Sequence, residues 1–186
     1  MERLIAQAKM LAEQGVKELI LVAQETTVYG MDLYGRKLLH LLLEALCKIS
    51  GIRWIRVLYC YPEEIYDELI ETMKREPKIC HYLDLPIQHA SDAVLRRMGR
   101  RTTKQDLLSI IEKLRREIPD IVLRTTLIAG FPGETQEQHE ELMDFIDEVE
   151  FDRLGVFAYS QEEDTPAAGM PDQIDEETKL ARQEAL

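Results

Sequence analysis

The chain has 186 residues, 45% hydrophobic and 31% charged, and its 23 Lys and Arg face 35 Asp and Glu for a net charge of −12. That length supports one domain with a full core, no apolar run approaches the roughly 20 residues of a membrane span, and broad binding to nucleic acid, which needs a basic surface, is disfavoured. Cys47, Cys60 and Cys80 are odd in number and far apart, and Met1-Glu2-Arg3-Leu4 opens no signal peptide, so a cytoplasmic chain without disulfides or a local metal motif is expected.

An amphipathic helix opens the chain at about Glu2–Gln14, closed by Gly15. Five β-branched or apolar runs follow: Leu19–Gln24, Trp54–Tyr59, Tyr82–Gln88, Val122–Ala129 and Leu154–Tyr159. Helical segments lie between them near Lys37–Ile49, Pro62–Arg75, Asp92–Met98, Lys104–Glu117 and Gln136–Val149. Gly51 sits just past one helix end, and Pro62 stands where a first-turn proline is tolerated. Thr103 with Asp106, and Thr135 with Gln138, have N-cap spacing. An irregular stretch, Gln161–Pro171, precedes a last amphipathic segment, Ile174–Leu186.

Strands joined by crossover helices predict a parallel sheet with right-handed connections. Both an incomplete (β/α) barrel and an open doubly wound sheet fit five such units. Leu19–Ala23 is apolar without alternation, which predicts burial on both faces.

The stretch Leu123–Glu134 ends a strand in Gly130-Phe131-Pro132-Gly133 and opens a helix at Thr135. Ligands of α/β folds bind at that corner, where glycines let the backbone come close and a helix start offers N–H groups. The competing reading is an ordinary βα turn. The other strand ends are also polar: Gln24-Glu25-Thr26-Thr27, Tyr59-Cys60-Tyr61, Gln88-His89-Ala90-Ser91, and Tyr159-Ser160 with Glu162, Glu163 and Thr165. Carboxylate, amide, hydroxyl and guanidinium groups at several strand mouths suit a zwitterionic small molecule bearing a sugar. His89 reads as an acid–base group or a hydrogen-bonded loop histidine, and Asp84 as a buried acid.

These residues resemble the radical S-adenosylmethionine (SAM) methylthiotransferases over nearly the whole chain. Gly-Phe-Pro-Gly-Glu-Thr is shared across that family. Met98-Gly99-Arg100-Arg101 is a further carrier of the resemblance, and Gln24-Glu25-Thr26-Thr27, Tyr59-Cys60-Tyr61-Pro62 and Gln88-His89-Ala90-Ser91 resemble the branch that methylthiolates an aspartate of a small-subunit ribosomal protein. The tRNA-modifying branch carries Gln-Asn-Val-Asn, Ser-His-Pro and Gln-Ser-Gly-Ser at the corresponding places.

The resemblance implies an α/β fold, an incomplete TIM-like barrel with parallel strands and outer helices. It implies SAM and two 4Fe–4S clusters as cofactors, the cluster ligands lying outside this chain. The first strand with its C-x-x-x-C-x-x-C motif, an N-terminal cluster domain and a C-terminal β domain are expected outside these residues too. In the family one SAM methylates sulfur and a second is cleaved to a radical that takes hydrogen from the aspartate β-carbon. By position, Gln24, Glu25 and Thr26 are expected to meet the methionine amine, and Gln88 and Ser91 the ribose or methionine end. Arg124 and Thr126 would face the methionine carboxylate. Ile128 and Gly130 would form a ledge under adenine, with Phe157 and Tyr159 alongside. The expected partners are a basic ribosomal protein, free or on the ribosome, and an external electron donor, with no membrane and no direct tRNA substrate. A tRNA methylthiotransferase and a non-catalytic binding module are the alternatives.

Overall fold

The computed structural model describes residues 1–186. The five strands are β1 (Glu18–Leu21), β2 (Trp54–Val57), β3 (Ile79–Asp84), β4 (Val122–Ala129) and β5 (Arg153–Ala158), ordered in the sheet as in the chain. The helices are α1 (Glu2–Glu13), α2 (Met31–Tyr34), α3 (Leu39–Cys47), α4 (Asp67–Arg75), α5 (Asp92–Arg97), α6 (Lys104–Glu117), α7 (Gln136–Val149) and α8 (Glu176–Ala185). No helix is long and apolar enough to cross a membrane.

The chain divides into two compact units, Met1–Leu85 with Glu112–Leu123, and Pro86–Ile111 with Arg124–Leu186. In the first unit β1, β2 and β3 run parallel. The apolar stripe of α3 (Leu39, Leu43, Leu46) and that of α4 (Leu69, Ile70, Met73) are buried, as is Ile55 of β2. The i, i+3, i+4 spacing of those leucines gives α3 its apolar face. In the second unit β4 and β5 pair in parallel, with Thr126 opposite Gly155 and Ile128 opposite Phe157. Leu123, Thr125, Leu127 and Ala129 of β4 are buried, whereas Arg124, Thr126 and Ile128 line its other, partly open face. Period-two alternation thus turns a guanidinium, a hydroxyl and an apolar side chain to one side.

The predicted α6, β4 and α7 coincide with the observed elements. Capping explains the sharp starts. Thr135 accepts from the Gln138 N–H while Gln138 accepts from the Thr135 N–H, and Thr103 and Asp106 exchange bonds likewise. Gly15 and Gly51 both adopt positive φ.

Four expectations are corrected. The second face of β1 is open, with Ile20 54% and Val22 60% exposed, so the apolar run does not mark burial on both sides. Pro62–Glu64 is a separate 3-10 turn, and extended backbone at Ile65 and Tyr66 delays α4 to Asp67. Strand β3 starts at Ile79 and ends at Asp84, because Pro86 has no N–H for the ladder; Gln88 makes only an isolated bridge to Leu127. The stretch Gln161–Pro171 contains a 3-10 turn, Pro166–Gly169, capped by Thr165.

Candidate functional site

In the first unit the loop after β1 is clipped to the end of β2. The Thr26 hydroxyl donates to the Leu58 carbonyl at 2.6 Å, and the Thr26 N–H to the Tyr59 carbonyl at 3.0 Å. Glu25 accepts at one oxygen from the Thr27 N–H (2.9 Å) and hydroxyl, and at the other from the Tyr61 N–H (2.9 Å). Burial pushes the Glu25 carboxyl up, more than these bonds hold it down. Gln24 beside them is exposed. The three predicted residues thus lie on one loop, fixed by their own hydrogen bonds. Tyr59 holds φ at +57° with its N–H on the Asp84 carboxylate (3.3 Å). A bulky residue in the left-handed region is strained backbone, which accumulates at working sites. Asp84 is buried, as expected. Cys60 is buried too, and burial pushes its thiol up, which suits packing rather than reactivity.

In the second unit β4 gathers most of the remaining predicted residues. Arg124 Nη1 donates to the Thr126 hydroxyl at 3.3 Å. Gln88 is pinned alongside: its N–H donates to the Thr126 carbonyl and its carbonyl accepts from the Ile128 N–H, both at 2.9 Å. Gln88 pays for that seat with φ at +70°. Phe157, 58% exposed, sits opposite Ile128 on β5. Gly155 was not singled out in the sequence. A Cβ there would lie 3.5 Å from Arg124 Nη2 and 3.9 Å from Phe157, so the missing side chain leaves a cradle between guanidinium and ring. The signal was available, since Gly155 is the one residue of β5 without a side chain.

Three predicted residues stand elsewhere. Ser91 is buried at the start of α5, its N–H on His89 Nδ1 (2.9 Å). Tyr159 is buried against Phe131, edge to face at 5.4 Å. At Gly130 a Cβ would meet Lys179 Cγ at 2.5 Å and its Cα at 3.2 Å, so α8 packs against this glycine. Gly133 likewise has the Arg97 guanidinium over it. The two glycines of the turn thus admit close approach by protein side chains.

The residue the sequence reading passed over is Glu134. It is 4% exposed, and its Oε2 accepts from the N–H groups of Gly130 (2.9 Å) and Phe131 (3.2 Å). Arg182 Nη1 donates to its Oε1 at 3.0 Å, while His89 Nε2 and His139 Nδ1 stand 3.6 and 3.7 Å away. Burial pushes the Glu134 carboxyl up, but His89, Arg182 and the Gly130 N–H together hold it below its ordinary value. His89 is therefore a buried, hydrogen-bonded loop histidine.

The family model described as the radical SAM superfamily matches residues 1–146. The chain belongs to the radical SAM superfamily. Ribosomal protein uS12 methylthiotransferase RimO of Lachnoclostridium phytofermentans is 66% identical over 186 residues, and its namesake in Clostridioides difficile 57% over 185. All of this chain is matched in both cases, but it spans only 42% of those relatives' length. Among solved structures, the radical SAM methyltransferase TsrM of Kitasatospora setae aligns with a TM-score of 0.64 at 17% identity, over 83% of this chain and 28% of that one. The Methanocaldococcus infernus Elp3 aligns at 0.61 and 14%, over 89% and 44%. These neighbours establish the fold alone: an incomplete α/β barrel of the radical SAM type, with parallel strands.

Proposed function

We propose that this chain is the SAM-binding core of a cytoplasmic methylthiotransferase that modifies an aspartate of a ribosomal protein. The observation that carries the reading is the open face of β4 and β5: Arg124, Thr126 and Ile128, with Gly155 and Phe157 beside them. It offers donors for a carboxylate, a hydroxyl and an apolar ledge ending in an exposed ring, which fit the zwitterionic and adenine ends of SAM. Gln88 supplies an amide next to that face; on the first unit's own loop, Gln24, Glu25 and Thr26 form a separate group of acceptors. Glu25 keeps lone pairs beyond the three bonds it accepts. Gly130 and Tyr159 act behind the ledge as support.

An iron–sulfur cluster does not fit the residues present. Cys47, Cys60 and Cys80 are free, and no three His, Cys, Asp or Glu side chains are grouped to hold a metal ion. The cluster thiolates belong to segments outside these residues. Bound SAM and the clusters supply the methyl group and the one-electron chemistry; this chain binds, orients and shields. The high identity to the RimO proteins, together with Gln-Glu-Thr-Thr and Gln-His-Ala-Ser, supports a ribosomal-protein substrate over tRNA. The net charge of −12 attracts a basic protein and repels RNA phosphates.

The test offers the full-length enzyme both substrates with SAM and an external reductant, followed by mass spectrometry of digested protein and nucleosides. The reading expects a methylthio group on one aspartate. Methylthio-adenosine with unmodified protein overturns it.

A further inference from the structure

In the first unit, β2 alternates: Ile55 and Val57 are buried, whereas Trp54 and Arg56 are not. Period two assigns Tyr59 to the side of Ile55 and Val57. Tyr59 is instead 46% exposed, and Cys60, of the other parity, is buried. The break comes from the φ of +57° at Tyr59, which re-aims the end of the strand. A glycine or an asparagine adopts that backbone readily, whereas a bulky aromatic residue bears strain there.

Four hydrogen bonds hold this shape. The Tyr59 N–H donates to Asp84 Oδ2 at 3.3 Å, and the Cys60 N–H to the Asp84 carbonyl at 2.9 Å. From the other side Thr26 donates its N–H to the Tyr59 carbonyl and its hydroxyl to the Leu58 carbonyl. All four use main-chain atoms of the strand end, and none uses the Tyr59 side chain. The phenol has no hydrogen-bond partner in the chain, and no other ring packs on it. Neither ring nor hydroxyl is therefore needed to keep the backbone as it is. Strain that serves only to present a side chain to solvent belongs to a working surface. A tyrosine on a fixed main chain has two side-chain torsions to lose on contact, which makes it a good anchor for a protein partner. A small molecule needs enclosure, whereas this ring stands open and suits a peptide that brings its own surface.

We propose that Tyr59 is a substrate-contact residue: its ring packs against the peptide that carries the target aspartate and helps to select that peptide. This contact rests on the ribosomal-protein reading above and adds a residue that is not among those assigned to SAM. The Asp84 carboxylate and Thr26 act through Tyr59, as positioning residues that keep the ring turned outward.

The test titrates the full-length, cluster-loaded enzyme with the purified small-subunit ribosomal protein, fluorescently labelled, and compares the parent with Tyr59→Asn and Tyr59→Phe by affinity and by melting. Tyr59→Asn keeps the left-handed backbone, relieves its strain and removes the ring. It is expected to melt no lower than the parent while its affinity for the ribosomal protein falls roughly tenfold or more. Tyr59→Phe is expected to keep most of the affinity, because the ring carries the contact. Parental affinity in Tyr59→Asn overturns the proposal and leaves the substrate reading in place. A lower melting temperature in Tyr59→Asn shows that the ring is packed within the full-length enzyme, which also overturns it. A parent that binds tRNA and not the ribosomal protein removes the substrate reading, and the contact falls with it.

Discussion

Arg182 Nη1 donates at 3.0 Å both to Glu134 Oε1 and to the Glu134 carbonyl oxygen. One guanidinium nitrogen thus ties α8 to the turn that follows β4, while the other carboxylate oxygen of Glu134 holds the turn's own N–H groups. Glu134→Gln keeps the shape but removes the charge, and it leaves Arg182 buried without its counter-ion. Breaking a buried pair in this way costs about 3 kcal/mol. Urea unfolding of the variant against the parent measures it.

The same cluster makes stability depend on pH. Burial, with the nearby Arg182 and His89, holds His139 below its ordinary value of 6.5. Glu134 is held below 4.5. In both cases the unfolded chain takes up its proton first as pH falls. The stabilisation is complete above the unfolded values, declines as pH drops below 6.5 through the folded His139 value, and declines again below 4.5. Unfolding curves between pH 4 and pH 8 are expected to show it, and His139→Gln to remove the upper step.

Gly130 has φ of +74° and a Cβ-sized space already taken by Lys179, whereas Gly15 has φ of +92° and nothing within 4 Å. Gly15→Ala bears only the backbone cost, about 1–2 kcal/mol. Gly130→Ala bears that cost and displaces α8 as well. Hydrogen exchange is expected to show faster exchange across Glu176–Ala185 in Gly130→Ala and unchanged exchange there in Gly15→Ala.

The reciprocal cap at Thr135 predicts that Thr135→Ala loses about 1 kcal/mol. Thermal melting of the variant checks it, and Thr135→Ser is expected to restore most of the loss.

Legibility in the sequence followed the range of the interactions. Helix α7 was read to its ends because Thr135 and Gln138 advertise the cap locally, and β4 because its β-branched run stops at a glycine. The end of β3 was misplaced because pairing with β2 and the block at Pro86 decide it. That Arg124, Thr126 and Ile128 share one face was legible from the period-two alternation of β4. Glu134 stands in the family segment Gly-Phe-Pro-Gly-Glu-Thr, but its role was not legible, because its partners Gly130, His89, His139 and Arg182 are spread over 94 positions and nothing in its neighbourhood announces that they meet. At Gly130 the sequence signal, a side chain that has to be absent, meets Lys179 packed over the glycine.

The most direct measurement of the central claim is SAM binding to the cluster-loaded, full-length protein bearing Gly155→Val. That side chain fills the cradle between Arg124 and Phe157, on the face of β5 opposite Leu154, Val156 and Ala158. Calorimetric titration is expected to show SAM affinity reduced by roughly tenfold or more, about 1.4 kcal/mol or above, with an unchanged melting curve. Affinity equal to the parent's in a folded variant would contradict the placement of SAM on this face.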